Sequence, residues 1–277
     1  MKKTIISILA ALVLAPLALI AKDPARVTIM SYNIRIGSVN DGTNSWEYRY
    51  PASAMMVDDQ KPDVVGYQEA LDYQIQYMKD YVPGYKVVGA GKDRGATKCE
   101  HMTMQYNAKT LALGKWGTFW LSETPTKASK GWDAAYERSA TWAIFKHKAS
   151  GKKFIVVNTH LDNEGAEARR EGLSLILSKL TEINKEGLPV VLIGDFNMSA
   201  GDPAMEPVKA VMKDARRTAV TTDDMHSFNG WGKAKETIDY IWFTGFDSCI
   251  EFQTVTKPYM DRKFISDHFP IKATLIL

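Results

Sequence analysis

The sequence has little of several features that mark particular protein classes. Its 277 residues include only 2 Cys and 5 His, and 35 Lys and Arg nearly balance 32 Asp and Glu. Two cysteines, Cys99 and Cys249, are too few for a disulfide-built scaffold or a zinc site made of cysteines; whether they pair stays open. A formal charge of +3 is too small to indicate a dedicated polyanion binder. With 45% hydrophobic and 24% charged residues, the composition excludes disordered, collagen-like and coiled-coil chains.

A single long apolar run is present, at residues 5–21, and two lysines precede it. This pattern is typical of a secretory signal peptide, predicted here to span residues 1–21 with cleavage after Ala21. An uncleaved membrane anchor is the alternative, which the shortness of the run and Pro16 disfavour. Loss of the two lysines lowers the formal charge from +3 to +1. We therefore expect an exported protein, periplasmic or extracellular, with no stable membrane anchor after cleavage.

Residues 22–277 show no repeat, low-complexity tract or long linker, and we predict that they form a single domain. Short runs rich in Val, Ile and aromatic residues, bounded by Gly, Pro, Asn and Asp, predict strands. The clearest runs lie at 27–34, 63–67, 85–88, 102–106, 116–121, 141–145, 154–159, 190–193, 237–243 and 271–277. Helical spacing occurs at 70–81 and 164–183 and, more weakly, at 54–57 and 205–212. Many short strands with few helices predict two packed sheets with helices outside them.

Polar side chains stand where the predicted strands end. Since side chains alternate between the two faces of a strand, Asp195 and Asn197 share a face just past the apolar run VVLI. Other strand ends follow the same rule, with Ser31, Asn33, Asn158, His160, Asp162, Asp239, Asp267 and His268. Burial of one unpaired polar group costs on the order of a few kcal/mol, so packing alone does not explain so many of them. Convergence of these side chains on one polar cleft does.

The order of these residues resembles that of the endonuclease/exonuclease/phosphatase superfamily, which includes pancreatic deoxyribonuclease, bacterial sphingomyelinase, inositol-polyphosphate 5-phosphatases and abasic-site endonucleases. The resemblance runs from about residue 27 to the C-terminus. It rests on Asn33 in SYNIR, Glu69 in YQEA, Glu100 in CEHM, His160 in NTHLD, Asp195 and Asn197 in GDFN, Asp239 in TIDYI, and Asp267 and His268 in SDHFP. The stretches DGTNSW and GWDAAYERSATW resemble a secreted bacterial subgroup. The implied fold is α+β, a four-layer α/β/β/α sandwich of two mainly antiparallel sheets with outer helices.

The resemblance also implies metal-dependent hydrolysis of phosphate esters. Oxygen ligands with few histidines suit Mg²⁺ or Mn²⁺, which keep several waters and also bind substrate phosphate. Glu69 is the implied metal ligand. Asn33 is implied to lie beside the metal, and Asp267 to reach it directly or through water.

Five further residues take catalytic roles by the same resemblance. Asp195 is implied to take the proton from the attacking water, and Asn197 to orient that water or a phosphate oxygen. His268 would donate to a non-bridging oxygen, with Asp239 fixing its tautomer and favouring its cationic form. His160 would lie near the leaving group.

Five residues are candidates for supporting or substrate-binding roles. Glu100 is implied to pair with the histidine at the leaving group. Arg138 is a candidate phosphate contact, and Asp162 is either a supporting partner of the site or a loop cap. Trp46 and Trp132 follow polar loops and are candidates to wall a pocket.

Three functions stay open on the sequence alone. The first is an esterase for a small or amphiphilic phosphorylated substrate, namely a sugar phosphate, inositol phosphate or lipid head group, cleaving a monoester or a diester. The second is a secreted endonuclease or exonuclease acting on DNA or RNA, and the third is a non-catalytic binding protein on the same fold. A nuclease usually presents several Lys or Arg to phosphates, whereas here the basic residues are scattered apart from Lys92, Arg94 and Lys98. The scattered basic residues therefore favour the small-substrate esterase. We expect the protein to act as a monomer.

Overall fold

The computed structural model describes residues 24–89 and 102–277. The predicted signal peptide, Glu100, Cys99 and the basic residues 92–98 lie outside the described residues. Cys249 is buried and is a free thiol, and burial raises its pKa to about 11. In the described part of the chain, no helix is both long and apolar enough to cross a bilayer.

Within the described ranges the chain forms twelve strands, arranged as two six-stranded sheets. In chain order the strands are β1 (Arg26–Asn33), β2 (Val64–Gln68), β3 (Tyr85–Val88), β4 (Met104–Asn107), β5 (Leu111–Trp120), β6 (Ser139–His147), β7 (Lys153–His160), β8 (Val190–Asp195), β9 (Lys213–Asp214), β10 (Asp239–Thr244), β11 (Ser248–Thr254) and β12 (Ile271–Ile276). The first sheet has the order β11-β12-β1-β2-β4-β3 and the second the order β5-β6-β7-β8-β10-β9. The pairs β1–β2 and β7–β8 are parallel and the other pairs antiparallel, so both sheets are mainly antiparallel as expected.

Helices cover the outer faces of both sheets. They are α1 (Trp46–Gln60), α2 (Asp72–Tyr81), α3 (Ala166–Ile183) and α4 (Glu206–Val211). The short helix α5 (Ala215–Thr218) instead contacts β10 and β11, with Ala215 in the layer between the sheets. Short 3-10 turns lie at Gly42–Asn44, Pro203–Met205 and Gly230–Gly232. Asp202 caps the second of these turns, where its carboxylate accepts from the amide of Ala204.

Three apolar layers separate the helices and sheets. The central layer lies between the sheets and includes Ile29, Phe145 and Ile193. A second layer joins α3 and α4 to the outer face of the second sheet, and a third joins α1 and α2 to the outer face of the first. Each buried Ile, Leu or Phe side chain contributes about 1.5–3 kcal/mol to folding. The sequence of helices, sheet, sheet and helices confirms the predicted four-layer α/β/β/α sandwich.

The main difference from the predicted elements is α1, a helix of 15 residues where the sequence indicated only weak helical spacing at 54–57. Its buried side carries Arg49 and Ser53, which are both fully inaccessible to solvent. Because polar residues occupy part of the buried face, the apolar periodicity on which the prediction rests is weak. Pro51, the sixth residue of α1, adds a further non-helical signal because it has no amide proton for an intrahelical hydrogen bond.

Two strands were not predicted. β9 is only two residues long, too short for any alternation to show. β11 has a register shift between Cys249 and Glu251 in its pairing with β12, and such a bulge breaks the period of two. A similar shift between Leu113 and Trp116 explains why β5 begins earlier than the predicted strand at 116–121.

The central strands of both sheets end at the same edge of the sandwich. In the first sheet Asn33 pairs with Gln68 in the parallel register of β1 and β2. In the second sheet Asp195 pairs with both His160 and Asp239 across β7, β8 and β10. The polar residues that follow these strands are therefore brought together by the topology itself.

Candidate active site

The carboxylate of Asp195 lies at the centre of the polar cluster. Its Oδ2 accepts a hydrogen bond of 3.0 Å from Asn33 Nδ2 and lies 3.5 Å from His160 Nε2 and 3.6 Å from His268 Nε2. Its Oδ1 accepts from the amide of Asn197 at 2.9 Å. Asp195 is 1% exposed. A buried carboxylate flanked by two imidazoles and an amide is a suitable acceptor for the proton of an attacking water.

His268 is held as a cation by two carboxylates. Its Nδ1 lies 2.8 Å from Asp239 Oδ2, and both side chains are buried. Burial disfavours the charged ring and is the largest single influence, but Asp239 and Asp195 together outweigh it and raise the pKa of His268 to about 10. The ring of Phe228 packs at 4.9 Å between centroids. At neutral pH, His268 therefore presents a protonated Nε2 beside Asp195.

His160 has a different set of neighbours. Arg138 NH1 lies 3.0 Å from its Nδ1, and Asn197 Nδ2 lies 3.0 Å from its Nε2. A guanidinium and an amide nitrogen offer only donors, so a donor approaches each nitrogen of the His160 ring. Asn197 Nδ2 also donates to the carbonyl of Leu161 at 2.9 Å, which fixes the amide beside the imidazole.

Arg138 is positioned by the loop that follows β7. Its Nε lies 3.3 Å from Asp162 Oδ2 and its NH2 donates to Asn163 Oδ1 at 3.0 Å. The carboxylate of Asp162 also accepts from the backbone amides of Ala135, Tyr136, Glu164 and Gly165. Burial opposes the charge of Asp162, but these amides prevail and lower its pKa to about 2. Asp162 thereby ties the segment that carries Arg138 to the end of β7.

Glu69 and Asp267 form an acidic group on the other side of Asn33. Glu69 Oε1 accepts from Asn33 Nδ2 at 3.1 Å, and its Oε2 accepts from the amide of Ile36 at 2.9 Å. Burial raises the pKa of Asp267; His268 opposes this shift, Glu69 adds to it and Arg35 opposes it. The guanidinium of Arg35 lies 3.6 Å from Asp267 Oδ2 and 4.0 Å from Glu69 Oε2.

Two groups of side chains in the described part of the chain could hold a metal ion. Asp195, Asp239 and His268 offer ligand atoms within 4.8 Å of one another, but the contact between Asp239 and His268 Nδ1 would have to be given up. Glu69 and Asp267 are oxygen donors that both lie within 4.0 Å of the Arg35 guanidinium. Carboxylate oxygens are the donors that Mg²⁺ and Mn²⁺ select, so the acidic group at Glu69 fits such an ion better.

These side chains line a cleft of about 520 Å³ at the edge of the sandwich. Seven of the predicted site residues line it, namely Glu69, Arg138, His160, Asp195, Asn197, Asp267 and His268, and Asn33, Asp162 and Asp239 contact its lining. The structure adds residues that the motifs did not identify, namely Arg35, Ile36, Val39, Tyr136, Asn163, Phe228, Glu236 and Ile238. Arg35 and Asn163 follow predicted site residues closely in sequence, which is a signal that could have found them. Phe228 and Glu236 lie in loops with no such signal.

Both tryptophans proposed as pocket walls lie outside the lining of this cleft. Trp46 is 6% exposed because it begins α1 and packs edge-on against Tyr77 in the outer apolar layer. Trp132 is half-buried in a loop, where its amide faces Glu123. Asn158 does not reach the cleft either, since its side chain bonds Gln68 and two backbone carbonyls of the first sheet.

Comparison with known proteins gives a consistent result. The chain matches the Endonuclease/Exonuclease/phosphatase family over residues 30–268. An endonuclease/exonuclease/phosphatase from Bacteroides vulgatus is 36% identical, with a TM-score of 0.84 over 91% of this chain and 98% of that chain. A mannosyl-6-phosphatase from Bacteroides thetaiotaomicron is 33% identical, with a TM-score of 0.84 over 91% of this chain and 100% of that chain.

A curated relative, an uncharacterized protein of Acanthamoeba polyphaga mimivirus, is 27% identical over 160 residues. That match covers 55% of this chain and 59% of the relative, so the chain aligns with little more than half of its length. The family match spans most of this chain and includes all the residues around Asp195 described above. The protein belongs to the endonuclease/exonuclease/phosphatase family.

Proposed function

We propose that the protein is a divalent-metal-dependent phosphoesterase that hydrolyses the phosphate ester of a small molecule by in-line attack of water. The observation that carries the proposal is the placement of Asp195 between a cationic His268 and His160 in one cleft. Asp195 takes the proton of the attacking water, while Asn197 orients that water. The carboxylate of Asp195 is buried and accepts hydrogen bonds from the side-chain amide of Asn33 and the backbone amide of Asn197. These contacts favour the arrangement because they leave the base little conformational freedom.

The cationic His268 donates to a non-bridging phosphate oxygen as negative charge develops there. Asp239 keeps the ring in that state and fixes the orientation of its Nε2. His160 lies on the leaving-group side, and Arg138 contributes positive charge near it. A Mg²⁺ or Mn²⁺ ion on Glu69 and Asp267 would neutralise the phosphoryl charge and polarise its oxygen.

The shape of the cleft supports a small substrate. A volume of about 520 Å³ lies in the range of about 300–1,000 Å³ that is usual for small-molecule sites. A relative at 33% identity is a mannosyl-6-phosphatase, which makes a sugar phosphate monoester our first choice of substrate. Inositol phosphates and lipid head groups follow it. Export to the periplasm or the medium, and action as a monomer, belong to the proposal and rest on the sequence alone.

A nuclease is the second candidate, because the family includes enzymes that act on nucleic acid by its own description. Substrates are compared by incubation of the purified protein with mannose 6-phosphate, other sugar phosphates, inositol phosphates, sphingomyelin, plasmid DNA and RNA. We expect release of phosphate from a sugar phosphate in Mg²⁺ or Mn²⁺ and none in excess chelator. Plasmid nicking at lower enzyme concentration would favour the nuclease, and binding of substrates without hydrolysis would favour the non-catalytic protein.

A further inference from the structure

Arg35 contributes a guanidinium to the cleft that no motif assigns. It follows Asn33 by two residues and contacts three carboxylates. Two hydrogen bonds join it to Asp41, from Nε at 3.0 Å and from NH2 at 3.2 Å. The other two carboxylates, Asp267 and Glu69, lie at 3.6 and 4.0 Å and are the proposed cation ligands. The positive charge of Arg35 thus lies where a cation bound to Glu69 and Asp267 would place its own charge.

The backbone of Arg35 is held in a conformation that an arginine seldom adopts. Its φ is 60°, in the left-handed region, which is unfavourable for a residue other than glycine. Its amide donates to Asn33 Oδ1 at 3.0 Å. Its carbonyl accepts from Arg49 NH2 at 3.3 Å and from Gln74 Nε2 at 3.0 Å.

The two side chains that clamp this carbonyl are themselves fully buried and come from different helices. Arg49 lies on α1 and Gln74 on α2, and both are 0% exposed. Arg49 also donates to the carbonyls of Ile34 and Ile265. Strain held in place by buried partners is typical of functional positions, and here it directs one guanidinium into the cleft.

A guanidinium and a divalent cation cannot share Glu69 and Asp267 without strong repulsion. Arrival of the ion would therefore displace Arg35 from these two carboxylates, while the paired bonds to Asp41 remain available as a pivot. Freed donors of the guanidinium would then face the part of the cleft that receives the phosphoryl group. Arginine binds phosphate oxygens well because its donors match their spacing.

We propose that Arg35 exchanges partners during the reaction. It first holds Glu69 and Asp267, and after the cation replaces it there, it binds a non-bridging oxygen of the substrate phosphate while it stays anchored on Asp41. The phosphate-binding half rests on the proposed function. The cation-binding half does not, because it depends only on which positive charge occupies the two carboxylates.

The test compares Arg35→Met with the matched control Arg170→Met, which removes the same charge from the exposed face of α3. Calorimetry and Mn²⁺ electron paramagnetic resonance give the Kd for Mn²⁺ alone, and inorganic phosphate is then titrated into the Mn²⁺-loaded proteins. For Arg35→Met we expect Mn²⁺ binding about tenfold tighter and phosphate binding about tenfold weaker. The control should match the wild type in both.

Opposite signs of the two changes separate this role from a structural one, because a disturbed cleft would weaken both ligands. Weaker or unchanged Mn²⁺ binding in a folded Arg35→Met protein would overturn the exchange. Arg35→Lys keeps the charge without the paired donors, so it should retain wild-type Mn²⁺ affinity yet bind phosphate more weakly; it also serves if the Met variant does not fold. A wild-type protein that binds Mn²⁺ as expected but hydrolyses no ester would refute the proposed function and leave the cation-binding half of the exchange in place.

Discussion

The charge of His268 depends on Asp239, and Asp239→Asn tests this dependence directly. The Asn side chain has nearly the same volume and can still accept a hydrogen bond from Nδ1, so the ring keeps its position while the negative charge is removed. Two unit charges about 4 Å apart interact by about 4 kcal/mol at an effective dielectric constant of about 20. Since one pKa unit corresponds to about 1.36 kcal/mol, the pKa of His268 should fall by about 3 units from its value of about 10.

The assay is a titration of the imidazole signals by nuclear magnetic resonance. The chain has only 5 His, and His268→Gln identifies the signal of interest. We expect His268 of the wild type to stay protonated through pH 8 and that of Asp239→Asn to titrate near neutral pH. The rate of ester hydrolysis should follow, with a new alkaline decline in the variant between about pH 7 and pH 8. An unchanged His268 pKa, or a variant that keeps the wild-type rate at pH 8.5, would refute the charge assignment.

The raised pKa of His268 makes the stability of the folded protein depend on pH. The folded-state pKa of His268 lies above its ordinary value of 6.5, so the folded protein binds this proton more tightly than the unfolded chain. The resulting stabilisation is fully present below pH 6.5 and is lost as the pH rises towards 10. Denaturant melts of the wild type should show this decline, and Asp239→Asn should reduce it.

Three other substitutions give clear expectations. Asp195→Asn should lower turnover by about 10²–10⁴-fold with little change in the unfolding temperature, because it removes the base and preserves the volume. The exposed Asp247→Asn is the control, and a near-normal rate of Asp195→Asn would mean that another group activates the water. Asp162→Ala should lower the free energy of unfolding by about 3 kcal/mol in urea melts, since it leaves several backbone amides without their acceptor. A decrease in that free energy of less than about 0.5 kcal/mol would contradict this. Gly194→Ala should lower the free energy of unfolding by more than about 3 kcal/mol or prevent folding, because a Cβ there would lie 2.0 Å from the carbonyl oxygen of Thr159. Wild-type stability of this variant would contradict the geometry.

The sandwich could be predicted because its strands are short, apolar and clearly bounded. Ten strand predictions overlap strands of the structure, and β3 has the predicted bounds. The site was accessible to the same reasoning, because polar residues directly after apolar runs must find partners. Asp195 is an example: it ends β8 and pairs with two neighbouring strand ends. Local pattern and topology agree at these positions, so sequence alone was informative.

Loop-borne features could not be predicted, since their positions depend on backbone conformations that leave no periodic signal. The closeness of Arg35 to Asn33 in the sequence could have indicated the residue, but not its orientation, which depends on a left-handed backbone conformation held by side chains of two helices. Phe228 packs on His268 through isolated bridges to two other segments. The polar loop before Trp46 favours a pocket wall, but the chain enters α1 at that residue and the ring packs in the outer apolar layer.

The two histidines beside Asp195 have different partners, although their side chains are identical. Each imidazole presents Nε2 to the same carboxylate oxygen at 3.5–3.6 Å. Behind His268, Nδ1 meets the carboxylate of Asp239 at 2.8 Å, whereas behind His160, Nδ1 meets the guanidinium of Arg138 at 3.0 Å. A carboxylate favours a second proton on the ring of His268. In the proposed reaction His268 therefore suits the stabilisation of phosphate charge, whereas Arg138 and Asn197 orient the ring of His160.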